Sequence, residues 1–162
     1  MEAMRPKAYI ETTIVSYLTA SPSRDLVLAA HQQVTRDWWS ARDVFELFVS
    51  QFVLDEASAG NAAAAELRVA ALREAVVLDL TPDTTRLAAA LIRGGGVPEK
   101  ARIDALHISV ASVHGMDYLV SWNCTHIANA TMRGRIEAIC RGAGFDPPVI
   151  CTPLELGREQ TP

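Results

Sequence analysis

Apolar residues come in short runs separated by amphipathic stretches, and the two periods alternate along the whole chain. Ala8-Tyr9-Ile10 is an apolar run of strand length entered from Pro6-Lys7. It ends on Glu11-Thr12-Thr13, where a threonine is expected to cap a helix begun by Ile14-Val15-Ser16-Tyr17-Leu18. After the turn signal Ser21-Pro22-Ser23-Arg24-Asp25, Leu26, Ala30, Val34 and Trp38 recur every fourth residue, with Gln32, Gln33, Arg36 and Asp37 off that stripe, which predicts an amphipathic helix. Phe45 to Ser50 reads as a second strand, and Gln51 to Ala59 as a helix stopped by Gly60-Asn61. Ala62 to Glu74 is rich in alanine and helical by propensity but only weakly apolar, so light packing or a partner surface is expected of it. Val76 to Leu80 predicts a third strand, and Thr81-Pro82 opens a helix to Arg93 by the cap-then-proline rule.

Gly94-Gly95-Gly96 and Pro98 break that helix, and a new one is expected from Glu99 to near Gly115. Tyr118 to Ser121 follows as a fourth strand, Thr131 to Arg141 as a last helix and Val149 to Cys151 as a closing strand. Helical segments too long for hairpins separate the strands. That spacing predicts an α/β class fold, one domain over residues 1–162, with right-handed crossovers and a mainly parallel sheet covered on both faces. The site of such a sheet lies beyond the carboxyl ends of its strands. Glu11 closes the first strand, Glu56 follows the second, and Asn123 follows the fourth. Asp104 stands in the helix that feeds the fourth strand, among Ala101, Ile103, Ala105, Leu106 and Ile108. An unpaired carboxylate in apolar surroundings is costly, so a compensating partner is expected for it.

Composition narrows the function classes. A chain of 162 residues with 49% hydrophobic content has room for one sizeable core, and its net charge of −4 argues against a broad cationic surface for long nucleic acid. The start lacks an apolar signal segment and no uncharged run approaches spanning length, so a soluble, cytoplasmic protein is expected. Cys124, Cys140 and Cys151 are odd in number and widely spaced, which suits a reducing compartment. Cys124 and His126 lack the additional ligands at zinc spacing. Three acids brought to one crevice would repel each other or recruit a cation, and oxygen ligands select magnesium or manganese over zinc. A hard cation held in this way activates water and stabilises charge on a phosphodiester, which is nuclease chemistry.

The segments Tyr9 to Leu18, Ser50 to Glu56 with Gly60, Asp104 to Ile108 and Leu119 to Asn123, in this order and spacing, resemble the PIN-domain family, in its VapC-like toxin branch. The resemblance covers nearly the whole chain. It implies a three-layer α/β/α sandwich and a magnesium- or manganese-dependent endoribonuclease, the toxin of a toxin–antitoxin pair, commonly a homodimer neutralised by a small antitoxin. Carried over residue by residue, Glu11 and Asp104 fall at the two positions that usually ligate the metal, Glu56 at the second acidic position and Asn123 at the fourth. Thr12 or Thr13 falls where a hydroxyl often supports the site. Two departures stand out: Glu11 where aspartate is usual, which moves the carboxylate outward, and the neutral Asn123 where aspartate is usual, which favours one ion over two. Asn123 also keeps open an alternative, a catalytically weak or inactive PIN-like module that binds RNA or protein.

Other residues bear on substrate. RNA with an exposed single-stranded segment is the expected substrate, and Trp122 is a candidate platform for stacking a base. His107 shares a helix face with Asp104, either orienting its carboxylate or satisfied by backbone or solvent. His126 reaches the site only where the loop after Asn123 folds back. Arg102, Arg133, Arg135 and Arg141 are candidates for phosphate contact or for a solvated basic face. Trp38 and Trp39 are assigned to packing.

Overall fold

The computed structural model describes residues 3–157, and these form a five-stranded, wholly parallel sheet flanked by helices. The strands are β1 (Lys7–Ile10), β2 (Glu46–Ser50), β3 (Val76–Leu78), β4 (Tyr118–Val120) and β5 (Val149–Cys151), in the spatial order β3-β2-β1-β4-β5. Between β1 and β2 run α1 (Thr12–Thr19) and α2 (Leu26–Ser40); between β2 and β3, α3 (Gln51–Ala57) and α4 (Ala62–Ala71). From β3 to β4 run α5 (Pro82–Arg93) and α6 (Arg102–Val113), and α7 (Ala130–Gly142) links β4 to β5.

β1 lies in the middle, and Ala8, Tyr9 and Ile10 are fully buried, as a strand covered on both faces requires. The chain first moves outward from β1 to β2 and β3, then crosses back to β4 and β5. Right-handed crossovers running in opposite directions place their helices on opposite faces. The contacts agree: α1 packs with α2, α3 and α4, while α5 packs with α6 and α7. Pairing of Tyr9 with Phe48 on one side and with Leu119 on the other sets the register. The direction of strand order therefore reverses between β1 and β4, and their carboxyl ends form the crevice where open parallel sheets bind ligands.

The elements follow the hydrophobic pattern closely, with local differences. Asp25, Asn61 and Asn129 cap α2, α4 and α7 through side-chain oxygens that accept from Leu28, Ala64 and Thr131 amides. The cap of α1 is Glu11 rather than a threonine, its carboxylate accepting from the Thr13 amide. α4 ends at Ala71, short of Glu74, because Leu72 leaves helical geometry as the chain turns into β3. β3 closes at Leu78, two residues earlier than Leu80, since Thr81 must leave the sheet to start α5. The helix expected from Glu99 begins with a 3-10 turn over Glu99–Ala101 before α6 proper.

Candidate functional site

Every acidic position singled out in the sequence lies around the carboxyl ends of β1, β2 and β4, and each is held by a different set of donors. Glu11, in the residue after β1, is 4% exposed. Its Oε2 accepts from the Thr13 amide at 2.8 Å, and its Oε1 accepts from the Thr13 hydroxyl at 2.8 Å and the Ser121 hydroxyl at 2.6 Å. Ser121 follows β4, so this carboxylate ties the two strands together where the order reverses. Charge-assisted bonds from three donors compensate the burial of the anion. The Thr13 hydroxyl also accepts from the Trp122 amide at 2.8 Å, so it braces the start of α1 against the loop after β4.

Glu56, near the end of α3, is placed differently. Its side chain is 43% exposed, and Oε1 accepts from the Thr12 hydroxyl at 2.8 Å and meets His107 Nε2 at 2.6 Å. Behind it, His107 is fully buried, and its Nδ1 lies 2.7 Å from the Tyr9 hydroxyl, which in turn lies 2.7 Å from Ser50 Oγ. Burial pulls the Glu56 carboxyl upward, but the hydrogen bonds from His107 and the Thr12 hydroxyl outweigh it and hold the group below its usual value. Burial drives the Tyr9 phenol far above its ordinary range, with Glu11 and Glu56 adding to the rise, so Tyr9 is a neutral hydroxyl. His107 is thus satisfied by side chains, neither by backbone nor by solvent, and its carboxylate is Glu56 rather than Asp104.

Asp104, in the first turn of α6, finds its partner in His126: Oδ2 lies 3.0 Å from His126 Nδ1. The loop after Asn123 does fold back, and Asn123 is the reason. Its Oδ1 accepts from the Thr125 amide at 3.3 Å and the His126 amide at 3.0 Å, while its own amide donates to Ser121 Oγ at 2.9 Å. An Asx turn of this kind reverses the chain locally. The carbonyl oxygen that would complete a pocket is spent on backbone donors.

The expected crowding of Glu11, Glu56 and Asp104 into one ion cage is not formed. Among the described residues, no three His, Cys, Asp or Glu side chains are arranged to hold a metal ion. Glu11 has donors on both oxygens, and each of the other two acids has an imidazole against one oxygen. This donor set does not fit a resident dication as it stands, because both oxygens of Glu11 already face protein hydrogens that would have to leave first, and the bond-free oxygens of Glu56 and Asp104 belong to no three-ligand cluster among the described residues. Trp122 is no open platform either. It is 7% exposed, its ring stacks on His31 at a centroid distance of 4.2 Å, and its indole N–H donates to Thr35 Oγ1 at 2.7 Å. Three of the four candidate arginines are engaged: Arg133 lies 3.7 Å from Glu155, Arg141 lies 3.5 Å from Glu137, and Arg135 donates to the Gly95 carbonyl.

Comparison with solved structures places the architecture. A chain of VapBC2 from Rickettsia felis, solved bound to a DNA fragment from their promoter, superposes with a TM-score of 0.58 over 90% of this chain and 98% of its own length, at 14% sequence identity. The fold is PIN-like. No protein-family model matches the sequence, and no curated protein matches it significantly. At 14% identity the likeness extends to the fold alone.

The PIN-like fold brings its acids to the switch-point crevice, and several of the residues that hold them were not themselves singled out as site candidates. Ser121, Tyr9, Ser50 and His126 each lie within or beside a quoted motif, yet none carries a charge pattern that points to a site. The signal available was positional: polar residues terminating apolar strands, as Ser50 and Ser121 do. Two cavities of about 590 and 770 Å³ lie by Phe45, where β2 begins, and neither is lined by Glu11, Glu56 or Asp104.

Proposed function

We propose that this chain is an endoribonuclease acting as the toxin of a toxin–antitoxin pair, with Glu56 as the group that accepts the proton of the attacking oxygen. The observation that carries it is Glu56 on the lip of the switch-point crevice, with Oε1 fixed by Thr12 and His107 and Oε2 free of hydrogen bonds among the described residues. An ionised, fixed and accessible carboxylate is what general base catalysis requires. The scissile phosphodiester belongs to RNA with an exposed single-stranded segment, and the leaving oxygen takes its proton from solvent. Asp104, with His126 held against it, lines the same rim.

Because the carboxylates as arranged do not enclose an ion, no step is assigned to one; magnesium and manganese enter as variables of the assay. A small antitoxin and a second copy of the chain are the partners proposed, in a cytoplasmic setting. The antitoxin proposal is supported by the likeness to VapBC2, and it is tested by coexpressing the neighbouring reading frame and scoring rescue of growth. The nuclease proposal is tested by incubating purified protein with defined single-stranded and hairpin RNAs in magnesium, manganese or chelator. Cleavage abolished by Glu56→Gln supports it, and intact RNA under all three conditions overturns it.

A second reading is favoured by Asn123, whose side chain organises a turn in place of an acid: a non-catalytic module that binds RNA or protein through the same rim. RNA retained on the protein but uncut in every buffer is its signature.

A further inference from the structure

A run of hydrogen bonds threads the core from the sheet to the rim: Ser50 Oγ to Tyr9 Oη at 2.7 Å, Tyr9 Oη to His107 Nδ1 at 2.7 Å, and His107 Nε2 to Glu56 Oε1 at 2.6 Å. It draws on β2, β1, α6 and α3, and three of its four members are fully buried. The donor inventory gives it a direction. Glu56 Oε1, ionised, only accepts, so Nε2 of His107 must carry a proton. In the neutral imidazole Nδ1 is then an acceptor for the hydrogen bond that the Tyr9 hydroxyl donates, which leaves the Tyr9 oxygen to accept from Ser50. Each donor meets one acceptor, with no charge required inside the sheet. Phe52 stands edge-on to the ring at a centroid distance of 6.4 Å.

A buried chain of this kind is more than a satisfied core histidine needs, because one backbone carbonyl would satisfy an imidazole N–H. The cost of burying a hydroxyl and an imidazole inside a parallel sheet is met only while every link is made. What the chain delivers at its outer end is a fixed carboxylate: α3 is a seven-residue helix, and Glu56 lies near its end with nearly half its side chain in solvent. A glutamate in that position would otherwise sample several rotamers. Carboxylates in the metal-ligand role expected from the sequence do not enter the chain.

We propose that His107, oriented from behind by Tyr9 and Ser50, is a positioning residue that fixes the Glu56 carboxylate for its work at the rim. The proposal rests on the ribonuclease reading for the meaning of that work, and on the geometry alone for the positioning. The groups facing Glu56 are His107 from α6 and Thr12 from α1, with Asp55 beside it on α3 itself.

Two measurements on the full-length protein separate the positioning from the nuclease reading. The first is the pH midpoint of the Glu56 side-chain carboxyl carbon by NMR in wild type, His107→Leu, His107→Gln and Tyr9→Phe, each checked for a cooperative thermal transition. The midpoint is expected to rise in His107→Leu and to return toward wild type in His107→Gln, whose amide N–H replaces Nε2–H. Tyr9→Phe, which keeps the ring volume, covers the case in which His107→Leu does not fold, and is expected to raise the midpoint by less. An unchanged midpoint in His107→Leu, or in Tyr9→Phe should the leucine variant not fold, overturns the positioning whether or not RNA is cut. The second is kinetic. With cleavable RNA, kcat is expected to fall about 100-fold in His107→Leu with KM unchanged, and to recover in His107→Gln; a loss confined to KM overturns the proposal. Wild type that cuts no RNA overturns the nuclease reading, and the carboxyl midpoints still decide the positioning.

Discussion

Glu11 and Ser121, 110 residues apart in sequence, meet at 2.6 Å across the carboxyl ends of β1 and β4. The carboxylate accepts there, at the helix cap and from the Thr13 hydroxyl, inside a nearly water-free pocket. Glu11→Gln puts an amide donor against hydroxyls and an amide that already donate. It is expected to cost about 1–3 kcal/mol of unfolding free energy, measured by urea denaturation. A midpoint equal to wild type rules out a structural role for this carboxylate.

Glu56 links stability to pH. Its folded-state pKa is below the ordinary value of 4.5, so the unfolded chain takes up the proton first as pH falls. The stabilisation is present in full above 4.5 and is lost as pH drops through the lower folded value. Denaturation curves between neutral and acid pH are expected to converge for wild type and Glu56→Gln as the acid limb is descended. Parallel curves over that range contradict the assignment.

Asn123 works through its side-chain oxygen on two backbone amides. Asn123→Asp keeps the acceptor and is expected to retain the turn, whereas Asn123→Ala loses about 1 kcal/mol and frees His126 from Asp104. Chemical shifts of the His126 ring report the second effect directly. A His126 ring unmoved in the alanine variant refutes the coupling.

Trp122 belongs to the core. Trp122→Ala removes a buried ring that stacks on His31 and bonds Thr35, at an expected cost of about 3–5 kcal/mol in thermal or urea unfolding. A variant that stays as stable as wild type and loses only RNA affinity returns Trp122 to the role of base platform.

Fold and site differed in how far the amino-acid pattern reveals them. Strand and helix periods alternate cleanly, and Thr81-Pro82, Gly94 and Asn61 mark boundaries with their own chemistry, so the parallel sheet is legible from local pattern alone. The placement of residues 11, 56 and 123 was legible for the same reason, because Glu11 and Asn123 follow β1 and β4 closely and Glu56 lies near the end of the short helix that follows β2. Their partners were not. His107 lies 51 residues from Glu56, and His126 lies 22 residues from Asp104. Which donor an acid takes depends on sub-ångström placement of helices across the sheet, and periodicity carries no information at that scale. The cap of α1 failed for a related reason: Glu11 has the reach to fold back on Thr13, a conformation that cap preferences for shorter side chains do not anticipate.

Because the Glu11 carboxylate also fastens neighbouring strands, a loss-of-activity screen at that position would confuse a loosened scaffold with missing chemistry. Glu56 sits on the outer lip and bonds to His107 and Thr12 rather than joining one strand directly to the next, so a replacement there, compared at equal folded fraction, speaks more directly to the reaction. Anyone designing an inert form of this protein for structural or cellular work would begin at residue 56 and leave residue 11 alone.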